Sequence, residues 1–228
     1  MKTKQVLIVS GLTPPEEEAL RRRIVAEARE LFIQRGFAPV TTGEIAGRLG
    51  ISKATLYKQF ASKKEILRAA VDSLEADFLA GVNGIIADGS AACPEKLIRL
   101  MTLIGDWVSR LSRALIVDLR RNAPDVWEDI DRFRRQKILV NFSALLETGV
   151  EEGVFRVDLD RDLVLRMFVS LVQGFINPDA LRESRQSARE VFETLFKVVF
   201  EGILTDRARA EIVVRKPIKP GAHKEVPL

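Results

Sequence analysis

The chain has 228 residues, 46% of them hydrophobic and 30% charged, which is enough for a sizeable core and too apolar for wholesale disorder. A single cysteine, Cys93, excludes an intramolecular disulfide. A single histidine, His223 in a Pro/Lys-rich tail, leaves little for histidine metal sites or Ser-His-Asp and Cys-His catalysis. The net charge of +4 divides unevenly: residues 1–70 hold 13 Lys or Arg against 7 Asp or Glu, and residues 71–228 hold 23 against 25, so a basic surplus suited to a polyanion lies in the first third.

Residues 1–12 carry two lysines and an apolar run too short for a signal core, and TPPEEE follows in place of a cleavage site, so a flexible arm is expected. Uninterrupted apolar stretches of membrane-spanning length are missing from the sequence. Thr13, Pro14 and Glu16 announce a first helix with the apolar face Leu20, Ile24, Ala28, Leu31 and Phe32, stopped by Gly36. Thr41 with Glu44 opens a second, with Ile45, Ala46 and Leu49 inward and Gly50 as its stop. Ser52 caps a third over 53–60, about 12 Å long. Ser62 with Glu65 starts a longer helix running towards Gly81.

The Gly/Ala-rich stretch after Gly81 coincides with the change in charge balance and predicts a boundary between residues 13–81 and 82–212. Helices are then expected over 94–111, to about Arg121, over 125–148 after the Asn122-Ala123-Pro124 turn, over 160–174, and over 187–202 beyond a Pro178 loop. Residues 213–228, with three prolines and no periodicity, read as a disordered tail. The fold class is all-α, with an N-terminal three-helix unit and a larger helical domain behind it.

Function concentrates in residues 41–60, a helix, a glycine turn and a second short helix. Ile51, just before the Ser52 cap, can staple onto Leu56; Leu56 and Phe60 face the core, and Lys53 and Tyr57 share another face. A capped helix held across another by a glycine turn can enter a DNA major groove. Lys53 and Thr55 would then point at the duplex, and the Tyr57 phenol suits a phosphate.

From Arg22 to Leu67 the chain closely resembles the DNA-binding domain of the tetracycline-repressor (TetR) family. The resemblance is carried by Ile24, Ala28, Leu31-Phe32, Gly36-Phe37, Thr41, Ile45-Ala46, Gly50-Ile51-Ser52, Thr55-Leu56-Tyr57, Phe60, and Ser62-Lys63 before Glu65. It implies phosphate contacts from Thr41 and Thr42, contacts to bases or backbone from Lys53, Ala54 and Thr55, a backbone clamp from Tyr57 and Lys63, and a further contact from Lys58. Ser52 belongs to the same candidate surface. So does Gly43, at a place where other members carry a longer polar side chain.

The resemblance further implies that the remaining helices dimerise and bind a small effector. Helices 160–174 and 187–202 are the candidate dimer pair, through Leu163, Met167 and Leu171 on one and Val191, Leu195 and Val198 on the other. Met101, Trp107, Trp127, Phe142 and Phe168 are the candidate pocket residues. The resulting expectation is a cytoplasmic homodimeric repressor that binds a palindromic double-stranded DNA operator and is released by a small apolar effector. No cofactor, metal or membrane partner and no enzymatic activity are expected. A helical adaptor binding protein through the basic face, and a helical enzyme carrying a DNA-binding-like domain, are the rival readings.

Overall fold

A computed structural model describes residues 13–110 and 112–214. Residues 1–12 and most of the expected tail, 215–228, lie outside the described residues. Among the described residues eleven helices follow one another: α1 (Pro14–Arg35), α2 (Thr42–Leu49), α3 (Lys53–Gln59), α4 (Lys63–Ala87), α5 (Cys93–Ser109), α6 (Arg113–Asn122), α7 (Pro124–Glu151), α8 (Arg161–Phe175), α9 (Pro178–Glu183), α10 (Ala188–Ile203) and α11 (Asp206–Val214). Among the described residues there is no strand; one isolated antiparallel bridge joins Phe155 to Leu204.

The early helices begin and end where their caps dictate. Glu16 accepts hydrogen bonds from the Thr13 amide and hydroxyl, both 2.8 Å, and the Thr41, Ser52 and Ser62 hydroxyls each accept an amide three residues on. Glu44 does not close a box with Thr41: its carboxylate pairs with Arg35 of α1 instead. Gly50 takes φ +68 at the end of α2, a left-handed conformation that favours glycine.

Three expectations need correction. The fourth helix passes through Gly81 and Gly84 and ends at Ala87. A Cβ on Gly81 would stand 3.0 Å from the Leu103 side chain, so this glycine lets α5 approach closely rather than breaking the helix. The stop comes where Asp88 turns onto Ser90, accepting from its amide at 3.0 Å and its hydroxyl at 2.6 Å. Second, the Pro178 segment is a helix, because the Asn177 side chain accepts the amides of Asp179 and Ala180. Third, Val213 and Val214 close α11 rather than opening the tail.

Two apolar cores result. One gathers Ile24, Ala28, Leu31, Phe32, Ile45, Ala46, Leu56 and Phe60 from α1 to α3 with Ile66, Leu67 and Ala70 of α4. Leu115 and Leu119 of α6, and Ala123, Val126 and Ile130 at and after the start of α7, belong to this same core. The other core unites Val82 and Ile85 of α4 with α5, α7, α8 and α10 around six phenylalanines. The long α4 therefore serves both cores, and later helices reach back into the first.

Candidate nucleic-acid interface and effector cavity

The α2–α3 pair is fixed from below by apolar contacts. Leu56 and Phe60 are fully buried, Ile51 is half-buried against the same core, and the outer side of α3 presents Lys53, Ala54, Tyr57 and Lys58. The Tyr57 and Thr42 hydroxyls lie 3.1 Å apart, which sets the phenol beside the start of α2. Gly43 leaves room for Lys53: a Cβ there would meet the lysine Cε at 2.6 Å. Thr41, Thr42, Gly43, Lys53, Ala54, Tyr57 and Lys58 thus share one solvent-reached surface, with Ser52 half-buried at its edge.

Two candidates are placed differently from expectation. Thr55 is buried, with its hydroxyl 2.9 Å from that of Ser52, so it tightens the first turn of α3 and does not face outward. Lys63 turns inward: its ammonium donates to the carbonyls of Phe37, Ala38 and Val40 at 2.9, 3.2 and 3.0 Å and sits 4.2 Å from the centre of the Phe37 ring. An ammonium has three donors, and all three are engaged. Burial pushes its pKa down, with Asp118 opposing that shift.

Sequence reading missed the residues that hold this surface in place. Arg21 donates to the carbonyl of Gln59, the last residue of α3, and its guanidinium lies 4.0 Å from the centre of the Phe60 ring. It thereby caps the end of α3 from α1. Asp118 on α6 accepts the amides of Phe37 and Ala38, the latter at 2.9 Å. Arg21 stands in the run Arg21-Arg22-Arg23, which by sequence more often reads as a solvated face; for Asp118 there was no signal, since its partners lie about eighty residues away in the chain.

Residues 24–70 match the family described as "Bacterial regulatory proteins, tetR family". Over 185 residues the chain is 25% identical to the uncharacterized HTH-type transcriptional regulator YvaF of Bacillus subtilis, a match covering 81% of this chain and 96% of that one. Over 155 residues it is 31% identical to the HTH-type transcriptional repressor KstR2 of Mycobacterium tuberculosis, covering 64% and 74% respectively. The chain belongs to the tetR family. It is a helix-turn-helix transcriptional regulator with repressors among its relatives. A Saccharomonospora viridis protein crystallised with choline is 26% identical, with a TM-score of 0.60, and the match covers 82% of this chain and 99% of that one.

In this tetR-family chain, Trp107, Phe142 and Phe168 line a cavity of about 40 Å³ together with Phe78, Ile104, Phe133, Arg134, Lys137 and residues of α8 and α10. Met101 and Trp127 do not line it. Met101 packs half-buried against the core, and the Trp127 ring lies under the Arg134 guanidinium at 5.1 Å. A second cavity of about 50 Å³ lies where α1 and α4 meet α5, α6 and α7, lined by Phe32, Leu67, Trp107, Leu119 and the Glu75 carboxyl among others. Cys93 is buried and its thiol pKa is pushed up to about 12, chiefly by burial, which favours the thiol over the thiolate.

The expected dimer residues divide. Leu163, Met167 and Val198 are exposed, at 52%, 52% and 70%, and Leu171 and Leu195 are half-buried. Val191 belongs to the core instead, since it sits on the side of α10 that meets α5 and α8. Phe175, missed in the sequence, is as exposed as Met167 and lies eight residues further along α8, on the same face.

Proposed function

We propose that the chain works in the cytoplasm as a homodimeric repressor, binding a palindromic operator through Thr41, Thr42, Lys53, Ala54, Tyr57 and Lys58. Residues 13–81 are the reader and 82–212 the sensor and dimer domain, with α6 and the start of α7 carrying the sensor's signal into the reader's core. The observation that carries this reading is the outward face of α3, where two lysines and a phenol stand over an apolar underside and beside the Thr42 hydroxyl. Such a face offers backbone contacts from Lys, Tyr and Thr in the first turns of a helix able to enter a major groove.

Release follows when a small, largely apolar molecule occupies the cavity lined by Trp107, Phe142 and Phe168 and favours a domain arrangement in which the paired α3 helices no longer fit successive grooves, about 34 Å apart. The cavity is smaller than the one of about 150 Å³ that holds benzene in an engineered apolar core. A ring-sized ligand must therefore spread the helices around it, and that differential contact is what can shift the arrangement.

Operator fragments selected from the organism's own DNA provide the test, with affinity measured against salt. Lys53→Ala and Lys58→Ala are each expected to weaken binding and to make the slope of log K against log salt shallower by about 0.9. Tyr57→Phe is expected to weaken binding with the slope unchanged. Unaltered binding in all three variants rejects the assignment of this surface.

A further inference from the structure

We infer that the effector cavity selects an apolar molecule bearing a carboxylate, and that Arg134 is the residue that recognises it. The inference rests on the reading of this cavity as the effector site and adds the charge of what enters it. Arg134 lines the cavity from α7 and is 8% exposed. Its Nε–H is buried without a hydrogen-bond acceptor among the described residues. Its two contacts to oxygen are long: 3.5 Å to the Ile176 carbonyl and 3.3 Å to the Asp131 carboxylate. A guanidinium carries five N–H donors in a planar fork, so this one is buried well short of its capacity. Leaving such a group unmatched is costly, and an acceptor that fits the fork recovers that cost.

The surroundings state what the acceptor must look like. Trp107, Phe133, Phe142 and Phe168 form the walls, which suit an aromatic or alkyl body. The guanidinium carbon stands over the Trp127 ring at 5.1 Å, and the unpartnered Nε–H leaves an edge of the fork for a two-point contact of the kind carboxylates make. Lys137 adds a second positive charge to the lining, and among the described residues no acid is part of it. Asp131 can give up its share of Arg134, because Arg135 at 3.3 Å and Gln173 at 3.4 Å remain on its other oxygen. A cationic ligand would meet two like charges in an apolar setting, so this cavity is unsuited to a molecule such as choline.

The two tryptophans are the only ones in the sequence, and both adjoin the site, so intrinsic fluorescence reports on it. Titration of the full chain with phenylbutyrate, phenylbutanamide and phenylbutylamine at neutral pH compares one body with three head groups. The carboxylate is expected to bind at least about ten-fold more tightly than the amide, as a charge-assisted pair with a buried guanidinium allows, and the amine more weakly than either. In Arg134→Met the carboxylate and the amide are expected to bind within about two-fold of each other, with the amide unchanged from wild type. Equal binding of all three by the wild type, or a carboxylate preference that survives in Arg134→Met, overturns the inference and leaves the cavity reading standing. No binding of any of them at millimolar concentration overturns both. If Arg134→Met does not fold, the wild-type ladder of head groups decides alone.

Discussion

Lys63 shows how one side chain can change its role once its neighbours are known. In sequence it is a lysine at the start of a helix beside a candidate DNA surface. In the fold its ammonium gathers three carbonyls of the α1–α2 connection and covers Phe37. Lys63→Met is therefore expected to cost about 1–3 kcal/mol of stability in denaturant titration while leaving the salt slope of operator binding close to wild type. A slope shallower by nearly one unit at unchanged stability would return Lys63 to the phosphate clamp. Gly149 illustrates the same point for packing: a Cβ there would meet the Phe155 ring at 2.2 Å and the Cys93 sulfur at 2.9 Å, so a glycine inside α7 makes a seat for an aromatic ring.

Among elements, α6 matters beyond its ten residues. Its Leu115 and Leu119 complete the reader's core, and its Asp118 holds the amides of Phe37 and Ala38. Gly36, at φ +88, is confined by the same carboxylate, since a Cβ there would stand 2.7 Å from Asp118 Oδ2. Asp118→Ala is expected to lower stability by about 2 kcal/mol, with faster hydrogen exchange at Phe37 and Ala38 than in the rest of the reader; uniform exchange would mean that the contact does not anchor the loop. Across the same junction, Glu75 of α4 has its pKa raised to about 7 by burial first and then by Asp72 and Asp129. The fold therefore binds this proton more tightly than the unfolded chain, whose glutamate titrates near 4.5. The proton-linked stability is full below that value and is lost as pH rises through about 7. Compared with Glu75→Gln, the wild type should lose stability between pH values on either side of this window, such as about 4.5 and about 7.5, in denaturant titrations. A difference between the two proteins that does not change with pH would contradict a raised Glu75 pKa.

At the scale of the whole molecule, the proposed dimer would place two readers through the outer side of α8 and α10. Leu163, Met167 and Phe175 of α8 and Val198 of α10 are large apolar side chains left exposed, which is what a dimer seam on these two helices needs. Met167→Lys together with Val198→Lys is expected to turn a dimer into a monomer in sedimentation and to lower operator affinity at least ten-fold, while helix content is unchanged. A double variant that still sediments as a dimer removes these helices from the interface.

What the sequence determined by itself is local. Caps at Thr13, Thr41, Ser52 and Ser62, stops at Gly36 and Gly50, and apolar spacing on α1 to α3 were all legible, because each depends on groups within one or two helical turns. Lys53 and Tyr57 on one outward face followed from the same spacing, and Ala54 and Lys58 from the family resemblance. Tertiary structure decided what depends on distant partners. Thr55 turned inward, Lys63 joined the loop, Val191 entered the core, and Gly81 became a point of helix contact instead of a helix end. Arg134 is the clearest case: its sequence context is a run of charges on a long helix, which reads as a solvated face, and only the packing of α5, α8 and α10 against it encloses the guanidinium. Periodicity gives the direction of a side chain from its own helix axis; whether water or another helix waits there is set by residues far along the chain.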